Sequence, residues 1–405
     1  MSAAFAPLAG VRVVDLSQNL AGPYCAQILA DLGAAVVKVE PPGGDPARTW
    51  GPPFECGEAV IFGAANRGKR SLLLDLKQSA GREVLERLLG RADVFLQSFR
   101  TGVIERLGFG WEIVHDLNPR LVYCSITAYG MDGPQGHLPG YDPLMQAQGG
   151  LISVTGQPGQ PARVGTSVVD MGTGMWAAMA VLAALGDRER TGRGAHVVGS
   201  LYETTLAWMA YHLAGFHAEG TVPGPQGTAF PLIAPYDAFP TADGRLMIAA
   251  ANDGLFARLC GALHQEALAQ DARFADNPGR VAHRVELCAA LALATRPQRT
   301  EALVERLREA GVPCAPIQDV GQVARDPQTE ASGLVRHAQS ARGESFTSVA
   351  PPLRWNGARA VHPAPPPHAG EHTREILVEL GYDAGEVARL GAAAAVRFQG
   401  EMDES

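Results

Sequence analysis

Val11-Arg12-Val13-Val14-Asp15-Leu16, then Gly22-Pro23-Tyr24-Cys25-Ala26-Gln27-Ile28-Leu29-Ala30-Asp31, then Ala35-Val36-Val37-Lys38-Val39-Glu40: these three runs decide the fold class. The first and third are β-branched and almost continuously apolar, as strands are when both sheet faces are covered. The middle run reads as a helix. Pro23 falls in its first turn, where a missing N–H costs nothing, and Gly33 closes it. Strand, helix, strand in about thirty residues is a βαβ unit, and it predicts a parallel sheet.

The alternation continues. Residues 71–76 read as a strand, 80–89 as a helix, 93–97 and 121–127 as strands. Glycine and proline are dense over 130–165, which reads as a loop. An apolar helix is expected over 173–185 and a further one over 202–213. The character changes at the Gly- and Pro-rich stretch 220–235. Residues 236–251 read as a hairpin about Asp243-Gly244, and helices follow to about Ala310. The Pro-rich run from Pro363 to Pro367 precedes a helix over 372–380.

The expected architecture is α/β: a Rossmann-like large domain over 1–205, a linker over 206–230, and a smaller α+β domain over 231–325. A second linker over 326–350 and a segment over 351–405 returning to the large domain complete it.

At 405 residues and 46% hydrophobic, the chain is long and apolar enough for a folded core. A net charge of -8 argues against nucleic acid or an anionic membrane as partner, while leaving room for a small anion on a local basic cluster. The N-terminus shows no basic region followed by an apolar one, and the longest strongly apolar run, 175–185, is short of the ~20 residues that span a bilayer. A soluble, cytoplasmic protein is expected. The six cysteines, with no CxxC pair, read as reduced thiols.

Familiar chemistry motifs fail here. The turn after the first strand, Asp15 to Gly22, lacks G-x-G-x-x-G, so it is not built for a dinucleotide. Residues 63–70 approach a P-loop, but Arg70 stands where a magnesium-binding Ser or Thr is needed, and a strand follows instead of a helix. His368, Glu371 and His372 lie in a Pro-led loop and not on one helix face, so no metal is expected. There is no G-x-S-x-G elbow. Two features remain. Arg67, Lys69, Arg70, Lys77, Arg100 and Arg106 gather basic charge in an acidic chain, either as a ligand site at strand ends or as a solvated surface. Asp170 ends the run Gly165-Thr166-Ser167-Val168-Val169 and stands just before the helix expected near Thr173. By position alone it is an N-cap, or a carboxylate presented at a helix start.

Taken in order, PLAGVRVVDL, AGPYCAQILADLGAAVVKVEPPGGD, NRGKRSLLLDLK, YGMDGP, GYDPLMQAQGG, VGTSVVDMGTG, RTGRGAHV and PPPHAGEHTREILVELGY resemble the family III coenzyme A transferases, the group of formyl-CoA transferase and carnitine CoA-transferase. The resemblance implies an interlocked homodimer. It places the nucleophile on Asp170 and coenzyme A contacts on Leu20, Ala21, Leu74, Asp75, Leu76, Lys77, Ser98, Phe99, Arg100, Arg106, Gly140, Tyr141 and Asp142. Lys77 and Arg106 suit phosphates, and Leu74 and Phe99 suit adenine.

The implied reaction passes through an aspartyl-CoA thioester. Coenzyme A is then a substrate, and no cofactor is implied. The partners are an acyl-CoA and a carboxylic acid. There are departures from the family pattern: Pro41 and Pro139 replace basic residues of relatives, and the usual E-N-F-R-P-G run reads Gln97-Ser98-Phe99-Arg100-Thr101-Gly102. These weigh against oxalate and formyl specificity. The run RTWGPP, 48–53, resembles relatives acting on dicarboxylates such as succinate or glutarate.

Two other functions fit the same fold. An α-methylacyl-CoA racemase needs a basic histidine where Tyr141 stands, and tyrosine is a poor base near neutral pH. A non-catalytic acyl-CoA-binding protein would not need Asp170.

Overall fold

The computed structural model describes residues 6–339, 343–359 and 364–400. Pro363, which opens the Pro-rich run, lies outside them. The chain forms two compact units. One takes the described residues up to Leu151, Val164–Ala214 and those from Glu330 onward; the other takes Ile152–Arg163 and Gly215–Thr329.

The first unit is a seven-stranded sheet. Its strands are β1 (Arg12–Asp15), β2 (Ala35–Glu40), β3 (Arg70–Leu74), β4 (Val94–Gln97), β5 (Val122–Thr127), β6 (His196–Ser200) and β7 (Val396–Arg397), in the order β6-β5-β4-β1-β2-β3-β7. The first six run parallel, and β7 adds an antiparallel edge. This is the doubly wound order: the chain moves one way from β1 through β2 and β3, then the other way from β4 through β5 and β6.

The apolar continuity of the strands follows from two covered faces. Val14, Val37, Val39, Leu72, Leu74, Phe95 and Tyr123 point to one side. Val13, Val36, Val94, Leu96, Val122, Cys124 and Ile126 point to the other. Each fully buried side chain of this kind contributes ~1.5–3 kcal/mol. The chain end helps to close the first face, through Ile376, Leu377, Leu380 and Val387.

Four helices place the site: α1 (Ala21–Asp31), α2 (Asp142–Gln148), α3 (Val168–Thr191) and α4 (Leu201–Trp208). α1 and α3 pack on each other over the second face. Gly174 is what permits their approach: a Cβ there would meet Ala21 O at 2.6 Å and Cys25 N at 3.1 Å.

Three sequence expectations change. The stretch 130–165 is not all loop, because it carries α2, the helical turn Leu151–Val154 and a small hairpin. Helix α3 begins at Val168, not near Thr173, so Asp170 lies inside its first turn rather than before it. The Val168-Val169 pair and the glycines at 172 and 174 favour other local structure, and the cap that starts the helix comes from a distant residue, described below. The third change concerns length. At 24 residues, with an 18-residue stretch of mean hydropathy 1.6, α3 is long and apolar enough to cross a membrane by length and composition, although the apolar run 175–185 alone is not. A packed core helix meets the same criteria, and half of that stretch is buried.

The second unit has a three-stranded antiparallel sheet, Tyr236–Pro240, Arg245–Ala249 and Cys314–Pro316. The first two form the hairpin about Asp243-Gly244. Helices Asp253–Ala262, Arg284–Thr295 and Thr300–Glu309 bring Phe256, Leu259, Leu287, Leu291, Leu303 and Leu307 into one core with Phe239, Leu246 and Ile248. Arg280 is fully buried there, satisfied by Ala234 O, Phe274 O and the Asp253 carboxylate.

Candidate active site

The winding direction reverses between β1 and β4, and the segments that leave their carboxyl ends diverge there. Open α/β sheets bind ligands in the crevice this creates. A cleft of about 580 Å³ occupies it, lined by residues 18–22 after β1, 98–101 after β4 and 126–128 at the end of β5, with Trp50, residues 138–143, Ser167, Asp170 and Leu201.

The turn after β1 is held from below by buried charge. Asp15 accepts from Lys69 Nζ at 2.8 Å and from the Ser17 N–H and hydroxyl. Lys38 donates to Ser17 O at 3.0 Å and pairs with Asp45 at 2.8 Å. Asp45 in turn accepts from Asn19 N, whose residue sits at φ 67°. Burial alone would push the Asp15 carboxyl up, but Lys69 and Lys38 bring it below its usual range. Gly22 is required for closeness, since a Cβ there would lie 2.3 Å from Ser17 Cβ.

The turn after β4 is pinned differently. Gln97 Oε1 accepts from Phe99 N at 2.8 Å, and Gln97 Nε2 donates to Ser125 Oγ at 2.9 Å. Ser125 Oγ also lies 2.9 Å from His196 Nε2. Gln18 N reaches across to Ser98 Oγ at 3.1 Å, tying the two turns together.

Asp170 enters the cleft from the first turn of α3. The N-cap residue, Ser167, gives no side-chain cap. Asp142, the first residue of α2, supplies it instead: its Oδ2 accepts from Val169 N at 2.7 Å and Asp170 N at 3.2 Å. Burial, and then the negative charge of Asp142, raise the Asp170 carboxyl from its ordinary 3.8 to about 7. A carboxyl raised toward neutral pH, in the lining of a crevice, is a functional-site signal.

Nine of the residues singled out in the sequence line this one cleft: Leu20, Ala21, Ser98, Phe99, Arg100, Gly140, Tyr141, Asp142 and Asp170. Five do not. Leu74 is buried in the core beneath the sheet. Asp75, Leu76 and Lys77 follow it beyond the end of β3, with Asp75 accepting from Lys77 N and Gln78 Nε2. Arg106 is exposed at the end of the short helix Val103–Arg106. Three members of the basic cluster are committed elsewhere: Arg67 to Asp31, Lys69 to Asp15 and Arg70 to Glu379. Arg100 is the cation that lines the cleft.

His368 faces Glu58 and Glu344, whereas His372 Nδ1 faces Ser71 N, so the two histidines point to different partners. Gln18, Asn19, Trp50, Thr127 and Ser167 also line the cleft and were not singled out. The two turn residues and Ser167 flank positions that were, and Trp50 lies in the RTWGPP run.

Fold and cleft together define a doubly wound α/β enzyme with a carboxylate at its switch-point crevice. A family model, CoA-transferase family III, matches residues 8–373. A succinate–glutarate CoA-transferase of Agrobacterium fabrum is 39% identical over 382 residues, covering 92% of this chain and 96% of that one. An acetyl-CoA:oxalate CoA-transferase of Acetobacter aceti is 40% identical over 332 residues, covering 81% and 85%. The crystal structure of a CAIB/BAIF family protein from Brucella suis superposes with a TM-score of 0.84 at 39% identity, covering 93% of this chain and 99% of that one. The chain belongs to CoA-transferase family III, and it is an enzyme of acyl-CoA metabolism that transfers coenzyme A between carboxylic acids.

Proposed function

We propose that this enzyme moves coenzyme A from succinyl-CoA to a second dicarboxylic acid through a thioester on Asp170. The observation that carries the reading is the Asp170 carboxylate: it lines the cleft, and its basicity is raised toward neutral pH. A more basic carboxylate is a better nucleophile, and near pH 7 a useful fraction is still ionised. The dicarboxylate reading draws support from the names of the two relatives, which carry succinate and glutarate in one case and oxalate in the other.

The chemistry runs as follows. An Asp170 oxygen attacks the donor thioester carbonyl, the C–S bond breaks, and coenzyme A leaves as thiolate. The thiolate attacks the Asp170 carbonyl of the mixed anhydride, releasing the donor carboxylate and leaving an aspartyl-CoA thioester. The acceptor carboxylate attacks that thioester and expels the thiolate. The thiolate then attacks the acceptor's carbonyl and frees Asp170. One thioester replaces another, so no outside energy source enters the balance. Both anhydrides are open to hydrolysis, so the site must exclude water while they exist.

Leu20, Ala21, Ser98, Phe99, Arg100, Gly140 and Tyr141 are the cleft residues to hold the pantetheine arm and its neighbours. Lys77 and Arg106, both exposed, are the cations offered to the phosphates.

A homodimer belongs to the same proposal. Met175, Trp176 and Met179 are each nearly half exposed on one side of α3, an apolar surface that a second copy would cover. Six free cysteines suit a reducing cytoplasm. The test is direct: incubate the enzyme with succinyl-CoA and equal amounts of glutarate, oxalate and a monocarboxylic acid, then read new CoA esters by mass spectrometry. The CoA ester of glutarate is expected. Exclusive transfer to the monocarboxylic acid overturns the substrate reading. Light scattering at micromolar concentration should give twice the chain mass, and a monomer contradicts the assembly.

A further inference from the structure

We infer that Asp142 is a positioning residue for Asp170: it takes up the free N–H groups that open α3, and so leaves the Asp170 carboxylate unbonded and turned to the substrate. The inference rests on the reading of Asp170 as nucleophile.

An acidic residue in the first turn of a helix normally uses its carboxylate locally. It bonds the helix's own unpaired N–H groups or reaches back to the N-cap N–H. Such bonds would stabilise the anion, lower its basicity and fix it to the backbone. In α3 Asp170 makes neither: the N–H groups beside it are already taken, and it does not reach back to Ser167 N. Asp142 Oδ2 holds the N–H groups of Val169 and Asp170 itself. Among the described residues, no donor bonds the Asp170 carboxylate.

Asp142 is itself held. Gln146, one turn further along α2, donates to its other oxygen, Oδ1. The same amide accepts from Val164 N at 2.8 Å through Oε1. Asp142 and Gln146 therefore grip both ends of the segment 164–170. Both side chains are almost wholly buried, with Asp142 1% exposed. That burial, with both oxygens already engaged, leaves Asp142 little surface to offer coenzyme A. A carboxylate would also repel its phosphates. The sequence groups Asp142 with the coenzyme A contacts, and the geometry points to a role exercised through Asp170 instead.

The test compares Asp142→Asn and Asp142→Ala with the parent, using succinyl-CoA and glutarate. Among the described residues, the charged and titratable groups lining the cleft with Asp170 are Asp142, Tyr141 and Arg100, and the acid limb of the kcat profile reports on Asp170. Asp142→Asn keeps the shape and removes the charge facing Asp170. It should lower kcat about tenfold or more with the KM for acyl-CoA within about twofold, and it should move the acid limb to lower pH.

Asp142→Ala should lower kcat further. If it fails to fold, the Asn variant alone decides. An unchanged kcat and acid limb, with KM raised for every acyl-CoA, overturns the inference and makes Asp142 a ligand contact. Asp170→Asn run in parallel separates the two ideas. If that variant keeps near-parent turnover, the nucleophile reading falls, and the inference with it. If it is inactive while Asp142→Asn is unaffected, only the positioning role falls.

Discussion

Lys69 Nζ lies 2.8 Å from Asp15 Oδ2, with both side chains fully withdrawn from water. The ammonium also donates to Pro23 O and Asn66 Oδ1, each at 2.8 Å, so all three of its protons are placed. Asp15 is the last residue of β1 and bonds Ser17 in the turn that forms the cleft wall. The pair therefore ties strand, turn and the start of α1 together.

Removing one member of such a pair strands a buried charge. Lys69→Ala should lose ~3–5 kcal/mol of unfolding free energy, read by urea denaturation. Lys77→Ala, at an exposed position, should stay within about 0.5 kcal/mol. Equal effects from the two would contradict the structural role given to Lys69.

Gly174 offers a test by sign. Inside a helix, Gly→Ala ordinarily gains ~0.5–1 kcal/mol. Here the new methyl would lie 2.6 Å from the Ala21 carbonyl oxygen, a backbone atom with little freedom to yield. Gly174→Ala should destabilise by ~1–3 kcal/mol, as overpacking does. It should also impair turnover, because it displaces α1 from the helix that carries Asp170. A stabilised variant would show that the two helices are less tightly engaged.

Much of this was legible in the sequence. The β-branched runs before and after α1 placed the parallel sheet, because a strand covered on both faces needs continuous apolar residues. Asp243-Gly244 placed the hairpin, because that pair between two apolar runs is a strong turn signal. The cleft segments around Leu20, Ser98 and Tyr141 were reached through resemblance. What escaped depends on contacts remote in the chain. The start of α3 at Val168 is set by a cap from Asp142, which no local pattern announces. Lys69 and Arg67 read as either ligand cations or surface charge because their partners, Asp15 and Asp31, lie 54 and 36 residues away. The buried Arg280 is likewise explained only by its spatial partners.

The raised Asp170 carboxyl carries a stability consequence. It holds its proton more tightly folded than unfolded, so its contribution is fully present below pH 3.8 and is lost as pH rises through about 7. The ionised parent at pH 8 therefore gives up at most ~4 kcal/mol, and water reaching the cleft screens this to ~1–2 kcal/mol. Asp170→Asn should be more stable than the parent by that smaller amount at pH 8, with the difference vanishing near pH 4. Urea unfolding at both values checks it. A variant less stable at pH 8 would mean that the carboxylate is not strained in the fold.

The central claim is that Asp170 becomes covalently bonded to coenzyme A during turnover. The most direct measurement is to mix the enzyme with succinyl-CoA, quench with hydroxylamine, digest, and map the modified carboxyl by mass spectrometry. The account predicts a hydroxamate on the peptide containing Asp170, absent without acyl-CoA and absent from Asp170→Asn, which should lose turnover by ~10³-fold or more. A parent enzyme that turns over with no label at Asp170, or an Asn variant within about tenfold of the parent, a loss under ~1.4 kcal/mol, would contradict it.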